Sequence, residues 1–424
     1  MATVLAAGSV DQLLGREEIR EIVRGGVEQL GLRAGSRVLG ITPDNTRTFD
    51  ASVVHDFLEA CQERGGHVDL LIANGTHEAM SDRKICEFLK LDKIPEAAGR
   101  IGVFNHSAPG EELEEFGVID LATVTDFSGG RIRTEIPVNA NRRVLDYDAI
   151  VILGPVFPHE VIGMSGGWKY FFPGISGSHI INHTHWLGAL IGIRGIIGRS
   201  MTPVRKIVER AGEMVIARKP VFCFSLVLEK KGLQGLMFGD PVGSHRRAAA
   251  LSREINIVWT PRRYRRIVAE CPRKYDELWT GGKLAYKTQE IVEEGGEIVF
   301  FAPHIDRVAP QHPQVEEIGY HCLDYFLGQW DRFKDVELSS LAHSTHVAGP
   351  GKYENGAERV WAKRVIASGI SRARCEAMSL GYLDPASISF AEKKPFGEGE
   401  DTLWVPQAGE QLFMPESMRR ELEA

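Results

Sequence analysis

The chain has 424 residues but no excess of positive charge; its formal net charge is −7. That balance argues against a nucleic-acid binder, which carries a basic footprint. It leaves room for a locally basic pocket that holds a small anion. No run of about 18 apolar residues is free of charge, so no transmembrane helix is expected. The first residues lack a basic segment followed by a long apolar core, so no secretory signal is read and a cytoplasmic protein is expected. Cysteine is sparse: Cys61, Cys86, Cys223, Cys271, Cys322 and Cys375 are scattered, with no CxxC pair. Such cysteines read as small buried residues in a reducing compartment. Also missing are GxGxxG, GxxxxGK[ST] and HExxH, which removes the common dinucleotide, phosphate-loop and zincin readings. No short repeat and no low-complexity segment interrupts the chain.

What is present is the composition of a globular enzyme-sized chain, 43% hydrophobic and 25% charged. Apolar residues recur at helical spacing over Arg16 to Leu30 and stop at Gly31. Arg37–Ile41 and His67–Ala73 read as buried strands. Each runs into a polar loop, Asp44-Asn45-Thr46-Arg47 and Asn74-Gly75-Thr76-His77, and then a helix. A third apolar strand, Ala149–Leu153, leads to the stretch Pro155–Gly188, which holds His159, Lys169, His179, His183 and His185. Strand, loop and helix in alternation predict a parallel α/β sheet, with ligands at the loops beyond the carboxyl ends of the strands. The rhythm restarts near Ala250. The expected fold is therefore two α/β domains with mainly parallel sheets and an active site in the cleft between them. Residues 1–250, joined by a returning tail at about 395–424, form the larger domain; residues 251–394 form the smaller one.

The loops carry suggestive chemistry. Arg47 offers a planar fork that matches a carboxylate or phosphate; Asp44 and Thr46 equally suit the cap of a helix. His77 and His159 titrate near neutrality and suit general acid/base work, although either is also an ordinary loop histidine held by backbone. Lys169 lies between Gly166-Gly167 and Pro173-Gly174, a setting where backbone can approach a ligand closely. A surface lysine in a turn explains it too. His183 and His185 share a side in extended chain and could share a metal, but point apart in a helix. Lys283 suits a substrate anion, or a solvated helix start.

Taken together, these motifs resemble the nickel-dependent lactate racemase family. The family's DxTR loop is matched by Asp44 to Arg47, and its AxGxH strand end by Ala73 to His77. His159 stands ten residues before the lysine of a GGxKxxxPGI element, Gly166-Gly167-Trp168-Lys169 to Pro173-Gly174-Ile175. Asn182-His183 follows, and Lys283 precedes Glu294-Gly295-Gly296. The resemblance implies a racemase or epimerase that inverts C2 of a 2-hydroxy acid, using a nickel-pincer nucleotide held covalently on Lys169. It implies His77 and His159 as the acid/base pair, and Asp44, Thr46, Gly166 and Gly167 as cofactor contacts. Arg47 and Lys283 are implied as substrate contacts. His183 is implied as the nickel ligand, with His185 at the ungapped spacing. Cofactor-biosynthesis enzymes are the implied partners. The chain departs from the pattern at Trp168, where the family has arginine, and at Thr280, where it has glutamine. The pocket tryptophan has no clear match beyond the nearby Tyr353 and Trp361. These changes point to a 2-hydroxy acid other than lactate, such as malate or an aldonate. The competing expectations are a non-catalytic binder of the cofactor or of a hydroxy acid, and a metal hydrolase built on His183 and His185.

Overall fold

The computed structural model describes residues 4–91, 101–106, 112–229, 231–388 and 401–423. Two compact units emerge, and each mixes helices with a mainly parallel sheet. The first comprises residues 1–157, 164–181 and 200–255; the second comprises 158–163, 182–199 and 256–424.

The first unit is built on a seven-stranded sheet. Its strands are β1 (Leu5–Gly8), β2 (Arg37–Pro43), β3 (His67–Ala73), β4 (Val103–Asn105), β5 (Ala149–Pro155), β6 (Val221–Glu229) and β7 (Gly232–Gly239), in the order β1-β7-β6-β5-β2-β3-β4. Strands β6, β5, β2, β3 and β4 run parallel; β7 runs against them, and β1 pairs antiparallel with β7 at the edge. The near-continuous apolar runs of β2, β3 and β5 follow from burial on both faces. Helices α1 (Arg16–Gln29) and α2 (Ala51–Glu63) cover the sheet through Ile19, Val23, Val53, Val54, Phe57 and Leu58, at the spacing read from the sequence. Asp50, not Asp44 or Thr46, caps α2 by accepting from the Ser52 N–H. That releases the DxTR loop from the capping role. Ser81 caps α3 (Asp82–Leu89) by accepting from the Lys84 N–H. Because β5, β2 and β3 are adjacent and parallel, their carboxyl ends lie at one edge of the sheet.

Helix α4 (Ser178–Ile191) follows the lysine stretch, and the boundary between the units falls within it, between Ile181 and Asn182. Helices α5 (Pro203–Ile216) and α6 (Gly243–Asn256) complete the first unit.

The second unit has a five-stranded, fully parallel sheet. Its strands, β9 (Tyr264–Glu270), β10 (Val292–Ala302), β11 (Lys363–Ser368), β12 (Gly381–Tyr382) and β13 (Thr402–Val405), run in the order β12-β11-β10-β9-β13. A separate parallel pair joins β8 (Ile257–Thr260) to β14 (Leu412–Pro415). One expectation changes here. The tail does not return to the first unit; residues 395–400 lie outside the described residues, and β13 and β14 pair with β9 and β8. Glu293-Glu294-Gly295-Gly296 forms the irregular start of β10, where the register with β9 shifts. Helix α7 (Lys283–Thr288) has already ended by then.

Leu403 is fully buried in β13 among Ile267, Ile298 and Phe300. Leu403→Ala should cost about 2–4 kcal/mol by leaving a cavity. Chemical denaturation should show the loss. Hydrogen exchange should place it in β9 and β10, while β2 and β3 keep their protection.

Candidate active site

Three polar loops meet at the carboxyl edge of the first sheet. After β2 the chain makes a tight turn in which the Thr46 N–H and hydroxyl both donate to Asp44 Oδ1, at 3.0 and 2.6 Å. Asp44 is buried, and its other oxygen, Oδ2, lies 2.5 Å from His77 Nδ1. A carboxylate at Nδ1 fixes that nitrogen as the donor, so Nε2 carries the lone pair. His77 is therefore set as a base. The loop after β3 is joined to the lysine stretch by the Gly75 N–H, which donates to the Gly174 carbonyl at 3.0 Å.

Lys169 is half-buried on a short turn, Gly167–Tyr170. Gly166 and Gly167 have φ of 91° and 58°, and added Cβ atoms would sit 2.5 Å from Val156 Cγ2 and 2.8 Å from the Pro241 carbonyl. Only glycine fits there. Beneath the turn, the buried Arg205 guanidinium donates to the carbonyls of Met164 and Gly166 and reaches His245 Nε2 at 3.1 Å. Burial lowers Arg205 to about 10 and, with Arg205 alongside, drives His245 well below the usual histidine range. The indole of Trp168, at the position where the family pattern has arginine, is in the core. It lies where a Cβ on Gly212 would be, at 2.3 Å, so it packs flat on α5.

Other expected residues belong to the second unit. His159 is buried, and the Val161 N–H donates to its Nδ1 at 3.1 Å, placing the ring proton on Nε2. Glu160 Oε2, 3.4 Å from the same nitrogen, is the partner for the other tautomer. Lys283 is buried, not solvated, with Nζ 4.7 Å from the centre of the Tyr275 ring. His183 and His185 both lie on α4. Two positions apart on a helix is a rotation of about 200°, so they do not share a metal ion. The pairing allowed by an extended chain is thereby corrected. Among the described residues no group of three His, Cys, Asp or Glu side chains could hold a metal ion.

Sequence reasoning missed Trp279, one turn before Lys283, whose ring is sandwiched between His312 and His343 with centroids 3.9 Å away on each side. Three separated segments make that stack, so no local spacing announces it. Thr280, at the glutamine position, turns its hydroxyl to the Glu277 carbonyl. Trp361 is tied to the Val292 carbonyl.

Two serines imitate hydrolase nucleophiles. Gly163-Met164-Ser165-Gly166-Gly167 has GxSxG spacing, which sequence reasoning also passed over. Ser165 is buried; its hydroxyl accepts from the Phe157 N–H and donates to the Pro155 carbonyl. Ser379, His321 and Glu358 line up at 3.3 and 2.6 Å. Ser379, at φ 60°, closes the helix Arg372–Ala377, and the N–H groups of Ser379 and Leu380 are committed to Glu376 and Cys375. Neither N–H is left to serve an oxyanion.

A family model described as the lactate racemase N-terminal domain matches residues 16–192. Residues 16–192 belong to the lactate racemase N-terminal domain family. A crystal structure of a protein from Thermotoga maritima is 30% identical, with a TM-score of 0.89, covering 97% of this chain and 100% of that one. The lactate racemase apoprotein from Thermoanaerobacterium thermosaccharolyticum shares the fold at 14% identity, with a TM-score of 0.67 and coverage of 94% and 93%. No curated protein sequence matches. Among the described residues no helix is long and apolar enough to cross a membrane.

His106 pins this edge together. Its Nε2 donates to the Ser176 carbonyl at 3.1 Å, and Nδ1 accepts from Asn141 Nδ2 at 3.2 Å. Burial lowers its pKa from 6.5 to about 4. The unfolded chain therefore binds a proton that the folded one refuses between those values. Stability is complete above pH 6.5 and falls as pH drops toward 4, by about 3 kcal/mol. His106→Gln should flatten that part of the stability curve, measured by denaturant midpoints across the range.

Proposed function

We propose that the chain is a racemase or epimerase that inverts C2 of a 2-hydroxy acid. The observation that carries this reading is His77, held through Nδ1 by a buried carboxylate that is itself fixed by Thr46. Such a histidine takes a hydroxyl proton at Nε2, and the Asp44 carboxylate stabilises the resulting imidazolium. His159 serves the opposite enantiomer in its other tautomer, in which Nδ1–H donates to Glu160 and Nε2 is left as the base. Arg47 and Lys283 supply positive charge for the substrate carboxylate.

The residues suit a nickel-pincer nucleotide. Lys169 stands on a turn shaped by Gly166 and Gly167, and three buried polar atoms near this edge, Thr42 Oγ1, Asn74 Oδ1 and Ser176 Oγ, have no partner among the described residues. A metal at one histidine of α4 needs its remaining ligands from a cofactor, because the described chain offers no ligand cluster. When bound, that group supplies a hydride acceptor, which spares the enzyme from removing the weakly acidic C2 proton. Lys169 would hold it, and His183 or His185 would ligate the metal. Asp44, Thr46 and the backbone of Gly166 and Gly167 would contact it. The loss of the family's arginine and glutamine at these positions, where Trp168 turns into the core and Thr280 bonds to backbone, favours a substrate other than lactate, such as malate or an aldonate. The enzymes that build the cofactor are the partners this reading requires. The metal-hydrolase reading loses its support with the separation of His183 from His185.

Protein co-expressed with the cofactor's biosynthetic enzymes should show an intact mass increased by a nucleotide adduct, absent in Lys169→Ala. An unmodified mass, beside a loaded positive control, would sink the proposal. Nickel content of His183→Ala and His185→Ala identifies the ligand.

Asp44→Asn should lower kcat/KM by about a hundredfold. The loss should be equal for both enantiomers, because a racemisation has an equilibrium constant of one. A retained tether mass in that variant separates lost proton transfer from lost cofactor. A fully loaded protein that is inert toward every 2-hydroxy acid would support the non-catalytic binder instead.

A further inference from the structure

The second unit holds a cavity of about 230 Å3 that the proposed reaction does not use. It lies where α4 ends at Ile191 and where α8 (Leu338–Ala348) ends at Ala348. Its walls are largely hydrocarbon, from Leu190, Ile191, Ile193, Leu323 and Pro350. Thr345 and His346 also line it, both more than nine-tenths buried. Thr345 Oγ1 and His346 Nε2 have no hydrogen-bond partner among the described residues. A buried polar atom left unpaired costs about 1–3 kcal/mol, so two beside one cavity call for an occupant.

The chemistry of that occupant follows from the signs of the groups. Burial lowers the His346 pKa and favours the neutral ring, whose unpaired Nε2 can present a lone pair to a donor. Two helix carboxyl ends bring partial negative charge and favour a cation. Glu160 acts on His346 from the same unit, and Asp324 is on the cavity wall. The cation on the wall, Arg194, is already matched by Glu290 at 2.9 Å. An apolar cavity on the order of 150 Å3 accepts benzene, so this one has space for a ring and a short polar arm.

We propose that this cavity is a second ligand site, for a small primary amine carried on a compact hydrocarbon body. The ammonium donates to His346 Nε2 and Thr345 Oγ1, and the hydrocarbon lies against Leu190, Ile193 and Leu323. None of the acid/base or tether residues takes part, so the site stands or falls separately from the proposed reaction.

Benzylamine, benzyl alcohol, toluene and benzoate, titrated into the full-length protein by calorimetry, test it. Benzylamine should bind with a sub-millimolar Kd and raise the Tm. Benzyl alcohol should bind about tenfold more weakly, and toluene and benzoate more weakly still. His346→Leu should weaken benzylamine by about tenfold or more while toluene binding rises. Toluene or benzoate binding as tightly as benzylamine overturns the proposal, as does the absence of benzylamine binding at millimolar concentration. The ligand series on the native chain decides the matter even if the variant fails to fold.

Discussion

A single buried carboxylate organises the edge of the first sheet. Asp44 has left water, and a carboxylate does so only when its oxygens find donors. Oδ1 takes two from Thr46, and Oδ2 takes the Nδ1 proton of His77. The first pair shapes the loop after β2. The last reaches across to the loop after β3 and decides which nitrogen of the imidazole is basic. Local turn geometry and proton chemistry are thus one bonding pattern. The pattern needs β2 and β3 to be parallel neighbours in register, as the pairing of Pro43 with Ala73 shows.

The lysine turn has a different logic. Its backbone is bent by Gly166 and Gly167 into a shape no side chain allows, and the carbonyls so exposed inward need donors. Arg205 supplies them from α5, at the cost of burying a guanidinium. The position of Lys169 is therefore dictated from below by groups that never touch a ligand. Trp168 reinforces this by packing against α5, where Gly212 makes space for its indole.

Much of this edge could be read in the sequence because it is written locally. Strand followed by polar loop followed by helix has a period that exposes Asp44, His77 and Lys169 as loop residues, and buried parallel strands announce themselves as apolar runs. What stayed hidden depends on distant partners. The sandwich of Trp279 by His312 and His343 joins three segments. The tail's strands fit either sheet by pattern alone, and only pairing with β9 and β8 assigns them. The His183–His185 question turned on one variable, helix against extended chain, and α4 resolves it. Glycines beside acidic residues, as at Gly295-Gly296, look the same whether they stop a helix or distort a strand.

The division of the chain also bears on how the protein is made. The first unit's sheet needs β6 and β7, which are synthesised only after residue 220, while the second unit claims residues 158–163 and 182–199 long before its own strands exist. Domains generally fold as units, amino-terminal first, while synthesis proceeds. Here the ribosome delivers two short lengths of the later unit into the middle of the earlier one. Those lengths, apolar at Trp186, Leu187 and Ile193, must wait without their partners until the last third of the chain emerges. The nascent protein therefore carries exposed apolar side chains for that interval.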